Sequence, residues 1–268
     1  VALRRAAHQL HDVPLVLDDP VAVAILGDAY AEDLRRTPLR LDRPYSTGLR
    51  AFVVARSRYA EDNLASAVRA GVEQYVLLGA GLDTFAYRNP YPHLRVFEVD
   101  HPATQEWKRA LLRANQVAIP DWVTYTPLDF ETQSLTSQLL AAGFRQDACA
   151  YFAWLGVIPY ISLKAFRETL SFISAQPGGS GLTLDYSQPR EVLPHFEQLA
   201  RDSLASRVEQ AGEPFQLFFT PEAMAGELKT FHAIEDLGVD EINARYFADR
   251  SDQLAIRGSG GRLLSAWL

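Results

Sequence analysis

The sequence has 268 residues, a length that gives a prior near ~1.8 domains and leaves room for one large α/β domain with an insertion. Lys and Arg number 26 against 33 Asp and Glu, a net charge of −7, so the chain lacks the cationic surface of a dedicated nucleic-acid binder. Hydrophobic residues at 48% and charged residues at 22% exclude a disordered chain, and no apolar run approaches the ~18 residues needed to cross a bilayer.

Position 1 is Val, so a short N-terminal stretch is expected to precede it. No basic-then-apolar leader opens the sequence, and the single cysteine, Cys149, fits a reducing cytoplasm and offers no second thiol for a metal site. Residues up to about Gly71 read as helices. Asp18-Asp19-Pro20 looks like a cap and first-turn proline ahead of the apolar Val21, Val23, Ala24, Ile25 and Leu26. The spacing predicts a longer amphipathic helix over 47–70, with Gly71 as its C-cap.

From there strand and helix alternate. Strands are expected over 75–78, 95–100, 122–128, 149–157 and 182–186, with helices over 103–115 and 162–175. This interleaving points to a parallel, doubly wound sheet. Residues 188–224 break the rhythm with Pro189, Pro194, Pro214 and Pro221 and read as an insertion over the carboxyl edge of the sheet, where such folds bind ligands. Two closing strands follow, over 231–237 and 262–267, separated by a helix and a polar loop. The expected division is a single domain over 1–268: a helical cover (1–71), a cofactor-binding core (72–187), a substrate lid (188–230) and closing strands (231–268).

Gly79-Ala80-Gly81 ends the first strand, and Asp100 stands about 20 positions further on, at the end of the next strand. Glycines there admit a ligand close to the backbone, and an acid at that spacing suits ribose hydroxyls. The third glycine of a pyrophosphate fingerprint is missing, since Thr84 stands in its place. Asp83 near the start of the following helix would oppose an anionic pyrophosphate but not a sulfonium or an ammonium, unless it is merely an N-cap. Asp129-Phe130 closes the third strand, where a carboxylate can accept from an adenine amino group beside a flat ring; an ordinary strand-to-loop aspartate is the alternative. Arg56 falls on the apolar stripe of the 47–70 helix with Phe52, Val53, Ala60 and Leu64, whereas Arg58 is displaced from it. A guanidinium facing a core needs an anion, supplied by a ligand carboxylate or by Asp83 or Asp100.

Arg56-Ser57-Arg58-Tyr59, the run from Val76 to Thr84, Phe97-Glu98-Val99-Asp100, Asp129-Phe130 and Trp154-Leu155-Gly156-Val157-Ile158-Pro159-Tyr160, taken as an ordered set, resemble the leucine carboxyl methyltransferase family. The likeness is greatest to its bacterial branch of S-adenosylmethionine-dependent O-methyltransferases, and it runs from about Asp18 to the Gly261-Arg262-Leu263-Leu264 region. The resemblance implies a class I methyltransferase-like Rossmann sheet of seven strands, mostly parallel with a C-terminal antiparallel strand, under a helical N-terminal cover and an inserted lid. It implies S-adenosyl-L-methionine as cofactor and a small-molecule methyl acceptor. Arg56 would hold the cofactor carboxylate, with Gly79, Ala80 and Gly81 against its methionine part. Asp100 would bind the ribose, and Asp129 and Phe130 would frame the adenine. Where relatives often carry Glu, this chain has Leu155, which accepts no hydrogen bond and leaves the ammonium to other partners such as the Gly79 carbonyl.

Trp154, Leu155, Tyr160 and the 188–224 insertion are the expected walls of the acceptor site. Tyr160 is a candidate to orient the acceptor, against the alternative of a half-buried aromatic at a strand end. A carboxylate acceptor needs no general base; a hydroxyl acceptor does, and His195 in the insertion is then the leading candidate. His8 and His11 share helical spacing but lack further ligands, so no metal is expected. The rival readings are an NAD-dependent oxidoreductase on the same kind of sheet and a non-catalytic cofactor-binding regulatory protein.

Overall fold

β1 (Gln74–Leu78) and β4 (Ala150–Trp154) are buried at every position, the pattern of strands covered on both faces. β1 pairs in parallel with β2 (Arg95–Asp100) and with β4, β2 with β3 (Val123–Pro127), and β4 with β5 (Gly181–Ser187). β7 (Gly261–Trp267) runs antiparallel between β5 and β6 (His232–Leu237). The seven-stranded order is β3-β2-β1-β4-β5-β7-β6. The strand order reverses between β1 and β4, and the crevice at their carboxyl ends is where such sheets receive ligands.

This computed structural model describes residues 1–36, 44–210, 212 and 214–268, and the side chains of 44 and 45 are not described. The part of the expected cover over 37–43, and positions 211 and 213 of the expected lid, lie outside the described residues. The described cover consists of α1 (Ala2–His11), α2 (Val21–Ala24), α3 (Asp28–Arg36) and α4 (Pro44–Arg69). α5 (Pro102–Ala114) follows β2, and α6 (Leu135–Ala141) and α7 (Leu163–Ser174) flank β4. Ser162 caps α7 by accepting from the Ala165 N–H, and Gly71 adopts φ +98° just beyond α4, the conformation expected of a C-cap glycine.

One face of the sheet carries Phe152, Trp154, Phe166 and Phe172, and the other carries Tyr75, Tyr151 and Leu64 of α4. Among the described residues, no helix is long and apolar enough to cross a membrane.

The structure departs from the sequence reading in two places that shape the site. The helix expected after the glycine turn is reduced to a single 3₁₀ turn, Phe85–Tyr87. Pro90 and Pro92 explain it, because neither can donate to a helix and each biases its predecessor toward extended backbone. In addition, the 188–224 insertion contains α8 (His195–Gln210) and the start of α9 (Pro221–Glu227), and no residue of α8 is buried. α8 lacks the apolar stripe that would have marked it in the sequence. The last helix, α10 (Val239–Tyr246), separates β6 from β7 as expected.

Candidate functional site

The backbone N–H groups of Gly79 and Ala80 both donate to the Val99 carbonyl, at 2.8 and 3.0 Å, which stitches the turn after β1 to β2. Gly79 has φ +67°, and a Cβ there would lie 2.2 Å from Val157 Cγ2, so both conformation and packing demand glycine. The Gly81 N–H donates to Asp100 Oδ2 at 2.5 Å, and the His101 N–H donates to Oδ1 at 2.7 Å. Asp100 thus fixes the turn before it meets any ligand. A cavity of about 680 Å³ opens at this point, and Arg56, Gly79, Ala80, Gly81, Leu155 and Gly156 line its sheet side.

Arg56 is 8% exposed and points from α4 to the sheet edge, while Arg58 is exposed and pairs with Asp62 at 2.8 Å. The protein anion that meets Arg56 is neither Asp83 nor Asp100 but Asp185 on β5, 3.1 Å from Nη1. The other oxygen of Asp185 accepts the Gly156 N–H at 2.5 Å. Gly156 has φ +73°, and a Cβ on it would come within 2.7 Å of both terminal nitrogens of Arg56.

Asp83 is held from the cover. Its Oδ2 accepts from Arg5 of α1 at 2.9 Å, and its Oδ1 accepts the Phe85 N–H at 2.8 Å, from one residue ahead of Thr84, which holds the N-cap position of the 3₁₀ turn. Arg5 also donates to the Leu82 carbonyl. Asp19, fully buried, accepts from the Thr84 hydroxyl at 2.6 Å, from Arg88 at 3.1 Å and from the Ala22 N–H at 3.1 Å, which caps α2 as the sequence implied. α1 and α2 therefore hold the segment that follows the glycine turn.

Burial pushes the Asp83 carboxyl up, but Arg5, Lys108 and the Phe85 N–H together hold it below the ordinary carboxylate range. A folded-state value below the unfolded one contributes stability that is complete above the ordinary value of about 3.9 and is lost as pH falls through the depressed value. Asp83→Asn should cost about 3 kcal/mol at pH 7, because Arg5 is left buried without that partner. The difference between wild type and variant should close below about pH 4. Urea unfolding of both proteins from pH 7 down to pH 3 measures it, and a gap constant across that range would refute the assignment.

Five of the expected site residues, Arg56, Gly79, Ala80, Gly81 and Leu155, line the one cavity, with Asp100 directly behind Gly81. Asp129 and Phe130 do not line it. Asp129 is occupied by its own turn, accepting from the Glu131 N–H and the Thr132 hydroxyl at 2.9 Å each, and these bonds hold its carboxyl below the ordinary range. Phe130 lines a separate cleft of about 360 Å³. Tyr160 ends a 3₁₀ turn, Ile158–Tyr160, with its ring 5.2 Å from Phe215 and its carbonyl accepting from Gln216. His195 is exposed at the start of α8, and neither it nor Tyr160 lines the cavity. Trp154, expected as a wall, is fully buried and stacked on Phe166. The sequence reading missed Asp185, although an acid inside the apolar run 182–186 was a signal of the same kind as Arg56.

Among the described residues, no group of three or more His, Cys, Asp or Glu is placed to hold a metal ion. His8 is buried, with Nδ1 2.8 Å from Asp12 and Nε2 accepting the Val16 N–H at 3.0 Å, which ties it to the structure of the cover.

A sheet of this order, with a glycine turn after β1 bonded to an acid at the end of β2, defines the class I methyltransferase fold. A solved structure from Thermobifida fusca titled as a putative methyltransferase superposes with a TM-score of 0.60 at 18% identity, over 95% of this chain and 96% of that one. A DUF574 family protein from Streptomyces avermitilis gives a TM-score of 0.58 at 16% identity, over 91% of this chain and 95% of that one. In sequence, the chain is 30% identical over 279 residues to the Bacillus subtilis protein named "Putative S-adenosyl-L-methionine-dependent methyltransferase YktD", covering 95% of this chain and 91% of the relative. The profile of the family described as leucine carboxyl methyltransferase matches residues 1–174. The chain belongs to the leucine carboxyl methyltransferase family and is a methyltransferase.

Proposed function

We propose that the protein transfers a methyl group from S-adenosyl-L-methionine to a carboxyl or hydroxyl oxygen of a small molecule. The observation that carries this reading is the placement of Arg56 and the Gly79–Gly81 turn on one cavity, with Asp100 bonded to the turn. The residues fit the cofactor. The cavity, about 680 Å³, is in the range of small-molecule sites, and its glycines leave the backbone open to close approach. Arg56 would take the carboxylate, the turn would receive the methionine part, and Asp100 would accept from the ribose hydroxyls while keeping its backbone donors. Asp129 and Phe130 would meet the adenine from the adjoining strand end.

When bound, S-adenosyl-L-methionine supplies an electrophilic methyl group on a positively charged sulfur. The chain contributes alignment and the exclusion of water. Leu26, Leu77, Leu111 and Leu155 give the cavity apolar walls, and its Arg5 and Asp83 already neutralise each other. Charge neutralisation between an oxygen anion and a cationic donor is favoured in dry surroundings.

The oxidoreductase reading is weakened by the structure. A pyrophosphate needs the amides and dipole of a helix N-terminus, and the glycine turn leads only into a 3₁₀ turn. Calorimetric titration separates the two: S-adenosylhomocysteine should bind and NADH should not, and the opposite result would end the methyltransferase reading of this cavity. Incubation with methyl-labelled cofactor and a panel of small acids, phenols and amines should place label on oxygen. Label on amines alone would overturn the oxygen assignment, and cofactor binding without transfer to any acceptor would favour the regulatory alternative. Asp100→Ala should weaken S-adenosylhomocysteine by about tenfold, through lost ribose contacts and a slackened turn; an unchanged dissociation constant in the same titration would dismiss that role.

A further inference from the structure

Asp185 has no part in the expected site, yet it is the protein group that meets Arg56, the α4 cation lining the cavity. Its side chain is 8% exposed, with one oxygen 3.1 Å from Arg56 Nη1 and the other 2.5 Å from the Gly156 N–H. Trp154 of β4 is in register with Leu184 of β5, so Leu155, just past the end of β4, and Asp185 of β5 are the next residues outward. Leu155 and Gly156 line the cavity beside Arg56. The guanidinium is confined from two sides: Asp185 takes one nitrogen, and a Cβ on Gly156 would lie 2.7 Å from both terminal nitrogens, so only glycine leaves them room.

We infer that Asp185 is the positioning residue of the cavity's amino-acid end, fixing the Arg56 guanidinium and the Gly156 backbone beside it so that the guanidinium is held ready for the carboxylate of an α-amino acid zwitterion. This rests on the reading of the cavity as an S-adenosyl-L-methionine site. Two physical effects follow from the geometry. Arginine has a long stem whose freedom is otherwise lost on binding, and a side chain already fixed loses less. The Arg56–Asp185 pair is also neutral overall, which matches a ligand end carrying one carboxylate and one ammonium and disfavours a lone anion.

The test is titration of wild type, Asp185→Asn and Asp185→Ala with S-adenosylhomocysteine and with 5′-methylthioadenosine, which has the adenosine but no amino-acid part. Both substitutions should weaken S-adenosylhomocysteine at least about tenfold and leave 5′-methylthioadenosine within about twofold. In an Arg56→Ala background, Asp185→Asn should add less than about a twofold further loss, because its effect acts through the guanidinium. Equal loss of both ligands would place Asp185 in the scaffold and overturn the inference, as would unchanged S-adenosylhomocysteine affinity. Failure of the wild-type protein to bind S-adenosylhomocysteine at all is a distinct result, and it would remove the underlying cofactor reading.

Discussion

Arg56→Ala is expected to weaken S-adenosylhomocysteine binding about a hundredfold, since it deletes a charge-assisted partner of a ligand carboxylate in a largely dry setting. The side chain is 8% exposed and lines the cavity, so bulk water does not replace it. The same substitution leaves the Asp185 carboxylate buried without its cation and should lower stability by about 3 kcal/mol. Arg56→Lys separates the two effects. A lysine keeps the charge but offers a point donor where the guanidinium offers a planar fork, so it cannot serve Asp185 and a ligand carboxylate together. It should recover most of the stability and only part of the affinity. Calorimetry with S-adenosylhomocysteine, alongside thermal melts of the three proteins, reads both quantities. Wild-type affinity in Arg56→Ala would refute the contact.

How much of this was legible in the sequence depended on whether the controlling interaction is local. β1 and β4 could be read because burial on both faces leaves a continuous apolar run. Arg56 could be read because a cation on an apolar helical stripe demands an anion. Which anion could not be read: Asp185 lies 129 positions away, and its approach depends on β5 standing beside β4. The missing helix after the glycine turn was signalled by Pro90 and Pro92, but the repeating strand–helix rhythm outweighed them. The docking of α1 on Asp83 was hidden for the same reason as Asp185, with Arg5 lying 78 positions from its partner. At Asp129 the sequence showed a strand-end acid but not the turn that follows it, whose Glu131 N–H and Thr132 hydroxyl each donate to one of its oxygens.

Gly79→Ala should be the most damaging single-methyl change in the chain, and Gly71→Ala provides its control. Both glycines have positive φ, at +67° and +98°. An L residue in such a conformation costs about 1–2 kcal/mol. At Gly71 nothing lies within 4 Å of the added Cβ, so conformation is the whole cost. At Gly79 the methyl would sit 2.2 Å from Val157 Cγ2, and a further overpacking cost of about 1–3 kcal/mol is added. Relief by shifting the backbone is expensive as well. Gly79 and Ala80 both donate to Val99, and Gly81 donates to Asp100, so any displacement of the turn breaks the stitch that shapes the cavity. Gly79→Ala should therefore lose both stability and S-adenosylhomocysteine binding, whereas Gly71→Ala should lose only stability. Val157→Ala removes the clashing methyl, and the cycle of Gly79→Ala, Val157→Ala and the double variant should show a favourable coupling of about 1–2 kcal/mol. Additive effects in urea unfolding would mean that the turn yields without cost, and the cavity would then owe its shape to something other than Gly79 pressed against Val157.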